Sequence, residues 1–184
     1  MGTLFVDKLD PQSGTSLEIG SSGDTITIPS GATITNNGTA TGFGGDNTPS
    51  FQAQNSSRTT VATNTYTKIA YTTENWDLGG DYDASNSRFT PQTAGKYYVY
   101  HQGGFNTGDD FEPVRVAIYK NGSLIIENQY RQAYYDIHYV GGAVDMNGSS
   151  DYLEAYASQN SGSNKDFDNS NTVRVKFGAF RIIT

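Results

Sequence analysis

The chain has 184 residues and a mass of 19.9 kDa, enough for one domain of ordinary size and an appendage. A formal net charge of -7 and a pI near 4.6 argue against a phosphate-backbone partner, and the absence of cysteine excludes both a disulfide framework and a Cys-based zinc site. Charged residues make up 17% against 12% aromatics, 13 of them Tyr, a balance that excludes disorder and suits pleated sheet better than helix.

Residues 1–45 form a leader built unlike the rest. Its apolar residues come in short alternating clusters, Leu17 and Ile19, then Ile26 and Ile28, then Ala32 and Ile34. Turn signals separate them at Ser13-Gly14, Gly20-Ser21-Ser22-Gly23-Asp24, Pro29-Ser30-Gly31 and Asn36-Asn37-Gly38. One copy of such a segment buries too little to offset its conformational entropy, whereas three copies wound about one axis bury the isoleucines against each other. The expectation is a three-chain β-stalk. The alternative is a flexible linker, and the near-repeat from Ile26 to Thr35 favours the stalk because a linker needs no isoleucine spacing. A glycine-rich boundary, Thr41 to Thr48, then opens a head at residues 46–184.

In the head, strands are predicted over Phe51–Gln54, Tyr66–Tyr71, Gly95–Phe105, Val114–Tyr119, Leu124–Tyr130, Tyr139–Met146, Tyr152–Ala157 and Val173–Ile183, with Thr72–Ser87 as a loop holding Trp76. Gly95–Phe105 is the strongest: Tyr97, Val99 and His101 share one face, and Tyr98, Tyr100 and Gln102 the other. Aromatic residues on both faces predict cover on both sides, the domain core on one and a neighbouring subunit on the other. Lys120-Asn121-Gly122-Ser123 predicts a tight hairpin, since Asn-Gly accepts positive φ most readily. With no helical period in any window, the pattern is an all-β sandwich of jelly-roll type.

The landmarks fall in a definite order: Pro49-Ser50-Phe51-Gln52-Ala53, Tyr82-Asp83, Arg88-Phe89-Thr90-Pro91, Ala94-Gly95-Lys96-Tyr97-Tyr98-Val99, Tyr119-Lys120-Asn121-Gly122 and Phe177-Gly178-Ala179-Phe180. That order resembles the C1q/TNF-like jelly-roll domain over about three quarters of the chain. One departure is Val144 to Asp151, where two serines separate the expected Gly148 from its Asp. The leader, with Lys8-Leu9-Asp10-Pro11-Gln12-Ser13-Gly14-Thr15 and Pro29-Ser30-Gly31-Ala32-Thr33, is similar to leader segments of tail-fibre-type proteins of marine tailed bacteriophages.

These resemblances imply a homotrimeric head, with Tyr98, Tyr100 and Phe180 as trimer-interface candidates. They also imply a non-enzymatic virion protein of a tailed phage, a fibre or spike attached to other virion proteins through residues 1–45 and facing a host cell-surface glycan or protein. Alternatives are a capsid decoration or cement (head-fibre) protein, a hydrolytic tailspike, and a secreted C1q-like lectin. No stretch approaches the roughly 20 apolar residues of a membrane span, and the first residues carry no secretory signal, so synthesis in the host cytoplasm and residence on the virion are expected.

For recognition, Tyr130, Tyr134, Tyr135 and Tyr139 are dense, and tyrosine offers a large rigid face with a polar tip. Catalysis is not expected. His101 sits in a tyrosine-rich strand, and His138, though two residues from Asp136, has no serine in a nucleophile elbow. The carboxylates Asp109, Asp110 and Glu112, or Asp166 and Asp168, lie in polar stretches where solvated acids are usual rather than a glycosidase pair. No cofactor is expected; calcium, which takes six to eight oxygen ligands, is the one ion those two clusters would suit.

Overall fold

A computed structural model describes residues 9–37, 47–55, 57–106, 111–132, 136–167 and 175–182. The chain divides into two units, Met1–Phe43 and Gly44–Thr184. In the first, the turns expected at Gly20–Asp24 and Pro29–Gly31 form. The Asp24 amide donates to the Ser21 carbonyl at 2.9 Å and the Ala32 amide to the Pro29 carbonyl at 3.1 Å, while Gly23 and Gly31 hold φ of 93° and 85°. The short strands expected between those turns do not pair among the described residues. Leu17, Ile19, Ile26, Ile28 and Ile34 are all exposed. A ladder needs a second strand at hydrogen-bonding distance, and segments this short do not fold back on themselves.

The second unit carries thirteen strands: β1 Ser50–Gln54, β2 Thr59–Val61, β3 Thr67–Lys68, β4 Thr73–Leu78, β5 Tyr82–Asp83, β6 Arg88–Phe89, β7 Gly95–Gly103, β8 Phe111–Lys120, β9 Ser123–Gln132, β10 His138–Met146, β11 Leu153–Gln159, β12 Lys165–Phe167 and β13 Lys176–Ile182. The unit is all-β, with no helix among the described residues. One sheet has the order β10-β7-β13-β1-β4; the other runs β5-β6-β11-β8-β9, with β3 also on β11, and β12 pairs separately with β2. The first and last strands, β1 and β13, lie side by side in antiparallel register, Ser50 opposite Phe180 and Gln52 opposite Gly178.

The alternation in β7 holds. Tyr97, Val99 and His101 are buried in the core between the sheets, whereas Tyr98, Tyr100 and Gln102 are half-buried on the outward side. Phe51 anchors that core: its ring stacks on Tyr82 at 4.3 Å and Phe89 at 4.6 Å and meets the edge of Phe177 at 5.0 Å. Such aromatic pairs add to burial because ring edges and faces carry opposite partial charge.

Two turns follow from sequence chemistry. Asn121 and Gly122 take φ of 52° and 77°, as a tight β8–β9 hairpin requires. In the divergent Val144–Asp151 stretch, the Asn147 side-chain oxygen accepts the amides of Ser149, Ser150 and Asp151, each at 3.0 Å, and the Asp151 carboxylate accepts the Asn147 amide at 2.9 Å. The two extra serines thus sit in a closed, self-capped turn and leave the strands on either side intact.

Within the head, the expectation for one stretch was wrong. Thr72–Ser87 is not a single loop: it contains β4, which pairs with β1 and places Trp76 opposite Gln52 and Leu78 opposite Ser50. Asn75, Trp76, Asp77 and Leu78 alternate polar and apolar with period two, but the surrounding Asn, Asp and Gly mask that signal. The short strands β2, β5, β6 and β12 were also not foreseen.

Candidate functional site: an exposed aromatic sheet face

The outward side of the β10-β7-β13-β1-β4 sheet is rich in aromatic residues. Register places its residues in rows. One row runs Ala143, Tyr98, Phe180, Ser50, Leu78, and the next Gly141, Tyr100, Gly178, Gln52, Trp76. A third begins Tyr139, Gln102, Lys176. Trp76, Leu78, Tyr139 and Phe180 are 44%, 55%, 41% and 40% exposed, on strands about 4.8 Å apart. Scattered apolar residues are unremarkable on a surface, but a contiguous patch marks an interaction site.

Within the face, the tyrosines hold one another. The Tyr98 and Tyr139 hydroxyls are 2.9 Å apart, Tyr98 packs on Phe180 at 5.6 Å, and Tyr100 lies parallel to Tyr139 at 6.4 Å. Glycines make this possible. A Cβ at Gly178 would come within 2.6 Å of the Tyr100 hydroxyl, and one at Gly141 within 2.7 Å of the Tyr139 hydroxyl, so each ring tip lies flat over bare backbone. The Gln52 amide donates to the Tyr100 hydroxyl at 2.5 Å. Burial pushes the Tyr139 phenol up to about 12, aided by its bond to Tyr98, and burial likewise raises Tyr100. These hydroxyls therefore stay neutral near pH 7. Around the aromatic centre runs a polar rim, with a Lys96–Asp145 ion pair at 2.7 Å on one side and Lys176 donating to Gln54 at 2.7 Å on the other. An apolar centre with a polar rim is the anatomy of a protein–protein interface.

The interface candidates Tyr98, Tyr100 and Phe180 thus lie together, joined by Trp76 and Leu78 from β4 and by Tyr139. The recognition group is divided. Tyr139 belongs to this face, whereas Tyr130 stacks on His138 at 4.6 Å and donates to the Tyr139 carbonyl, and Tyr134 and Tyr135 lie outside the described residues. Of the carboxylates, Asp109, Asp110 and Asp168 lie outside the described residues, as does the Glu112 side chain. Asp166 sits in β12 rather than in a polar loop, its carboxylate accepting from the Thr60 hydroxyl at 2.7 Å and its carbonyl from the Asn106 amide at 3.0 Å. Among the described residues no three His, Asp or Glu gather closely enough to hold a metal ion.

The two histidines sit in different surroundings. His101 is fully buried, edge-on to Tyr71 at 5.7 Å and against Phe167 at 5.6 Å. Desolvation lowers its pKa to about 3, opposed weakly by the Ala117 backbone, and neither ring nitrogen makes a well-formed hydrogen bond. His138 is lowered by burial and raised by Asp136, with burial the larger effect. The outward face therefore offers rings and hydroxyls, a surface equipped to bind.

The strand order and the paired first and last strands define the second unit as a jelly roll of the tumour necrosis factor-like type. Among solved structures it is similar to crystal structures of murine APRIL at pH 5.0 and at pH 8.0. The first has 12% identity and a TM-score of 0.59, the second 13% and 0.54, and each match covers 73% of this chain and 98% of the APRIL chain. At such identities the likeness speaks for the fold alone. No family model and no curated protein matches this sequence.

Proposed function

We propose that this chain is a non-enzymatic structural protein of a tailed-phage virion, a homotrimer whose head assembles through the aromatic face and turns its remaining surface to the host. The observation that carries the assembly is the contiguous exposed patch of Trp76, Leu78, Tyr139 and Phe180 inside its polar rim. A lone soluble domain that left it uncovered would aggregate. The jelly-roll likeness supports a threefold arrangement, since C1q/TNF-like heads are trimers. Residues 9–37 support the same reading, because their isoleucines are exposed among the described residues and gain cover when copies of the segment come together. The likeness of that leader to tail-fibre leaders supports attachment to other virion proteins through residues 1–45. The burial of His101 and the stacking of His138 support a binding role over a hydrolytic one.

Sedimentation velocity of the full chain tests the assembly. A trimer at micromolar concentration is expected, reduced to monomer with unchanged β-sheet circular dichroism by Phe180→Glu. A wild-type monomer overturns the reading. For the virion role, the purified chain is expected to compete with phage for adsorption, and antibody labelling of particles is expected to mark the tail. Label confined to the shell would make the protein a capsid decoration instead.

A further inference from the structure

Strands β2 and β12 pair with each other, apart from the two main sheets. Their ladder is three residues long, Lys165 opposite Val61, Asp166 opposite Thr60 and Phe167 opposite Thr59. Strand β2 is tied to β11, because the Gln159 side-chain amide donates to the Val61 carbonyl at 3.0 Å. Strand β12 has lighter fastenings beyond its ladder. The Thr60 hydroxyl donates to the Asp166 carboxylate at 2.7 Å, and the Asn106 amide donates to the Asp166 carbonyl at 3.0 Å beside a bridge between Phe105 and Phe167. By contrast β7 pairs through nine positions with β10 on one side and through seven with β13 on the other.

The short strand covers a histidine. Phe167, fully buried, lies 5.6 Å from the imidazole of His101 and 5.4 Å from the ring of Phe105. It comes so close to β7 because residue 103 is glycine: a Cβ there would meet the Phe167 ring at 2.3 Å. On its other side His101 meets the edge of Tyr71 at 5.7 Å, and Val140 and Phe177 stand opposite it in the neighbouring strands. Neither imidazole nitrogen has a well-formed hydrogen bond, so the ring is a polar group shut into apolar surroundings.

Few charged or titratable groups lie on the elements around it. Tyr71 is the one in contact, and burial holds its phenol well above the ordinary value. On β10, His138 stands opposite Gly103 and stacks on Tyr130. On β12, Asp166 is bonded to Thr60, and Lys165 lies at the far end of the ladder. Lys176 of β13 donates to Gln54, Arg115 of β8 pairs with Glu127, and Lys96 of β7 pairs with Asp145. Burial governs the ring, opposed weakly by the Ala117 backbone.

A proton on this imidazole makes a cation that needs water. The Tyr71 side is firmly held: its amide donates to the Ser87 hydroxyl at 2.8 Å, its carbonyl accepts from the Tyr82 hydroxyl at 2.6 Å, and its own hydroxyl donates to the Gln102 carbonyl at 3.3 Å. The Phe167 side is held by a three-residue ladder and two further bonds. We propose that β12 is an acid-released strap: a proton on His101 is accommodated by lifting Phe167 off Gly103, which lets water into this end of the sandwich while the two main sheets stay paired. Local openings of this kind are drawn from the elements with the fewest fastenings. The strap belongs to a single head and is independent of how heads assemble or what they bind.

The direction follows from the two states of the ring. Under the closed strap it titrates at about 3, and contact with water returns it towards 6.5, so protons favour the open form as pH falls below 6.5. Between pH 7.5 and 5.0 the open fraction rises about thirtyfold. The test is amide hydrogen exchange of the full-length protein read by mass spectrometry at both pH values, each rate divided by the intrinsic rate at that pH. Amides of β2 and β12 are expected to lose about thirtyfold of their protection, while those of β7 and β13 stay the more protected at pH 5.0. His101→Leu is expected to abolish the change in β2 and β12. Thr60→Val removes only the tether to Asp166, and is expected to speed exchange there by the same factor at both pH values. The wild-type and Thr60→Val measurements keep the test decisive if the histidine variant fails to fold. Equal protection of β12 and β7 at pH 5.0, a change below about threefold in wild type, or an undiminished change in His101→Leu would overturn the proposal.

Discussion

Acid should loosen the head through one residue, His101. Its imidazole is 0% exposed and titrates at about 3, against an ordinary value of 6.5. Because the folded ring resists protonation, the unfolded chain binds the extra proton as pH falls below 6.5. Stability therefore drops with acid, and the loss levels off only below about 3. Integrated from pH 7.5 to 4.5, the His101 contribution is on the order of 3 kcal/mol, a large share of a typical domain's stability. The ring lies between Tyr71 and Phe167, so an apolar replacement of similar size has somewhere to sit. His101→Leu should keep stability at pH 7.5 within about 1.5 kcal/mol of wild type. Urea-unfolding midpoints for both proteins between pH 7.5 and 4.5 provide the measurement. The variant should lose on the order of 3 kcal/mol less than wild type over that range, keeping the acid sensitivity of other groups such as His138, whose pKa burial also lowers. Parallel losses in the two proteins would refute the desolvation argument.

Gly178→Ala places a methyl 2.6 Å from the Tyr100 hydroxyl and 2.9 Å from the Phe51 carbonyl, so a loss of about 1–3 kcal/mol is expected in thermal or urea unfolding. The same change should weaken self-association in sedimentation, because Tyr100 must lift off the sheet. Asn147→Ala removes the acceptor of three backbone amides in an exposed turn, which should cost about 1–2 kcal/mol in unfolding without altering the sedimentation of the native protein.

Much of the fold was legible because its signals are local. The period-two pattern of Tyr97, Val99 and His101 follows from pleat geometry, and Asn121-Gly122 carries its own turn preference. The aromatic face was legible in part. Tyr98, Tyr100 and Phe180 stand in strong strands opposite core residues, so their outward direction could be inferred. Trp76 and Leu78 were missed because β4 is short, edge-placed and embedded in polar sequence. The sequence groups Tyr139 with Tyr130, Tyr134 and Tyr135, yet successive positions along β10 point to opposite sides, so His138 stacks on Tyr130 while Tyr139 meets Tyr98 on the outward face.

Composition and alternation sufficed for the β class, the hairpin and the turns of the leader, since each depends on residues a few positions apart, whereas the jelly-roll type was legible only through the resemblance carried by landmarks spread from Pro49 to Phe180. Pairing across the chain brought together what no local pattern could. Ser50 meets Phe180, Thr60 meets Asp166, Arg88 and Lys68 converge on Glu154, and Tyr66 reaches Glu127. Strand register sets those neighbours, and register is a property of the closed sheet, fixed when the apolar faces of two sheets are buried against each other. For the same reason the leader remains half-told by one chain. Its turns close within themselves, while among the described residues its isoleucines are exposed.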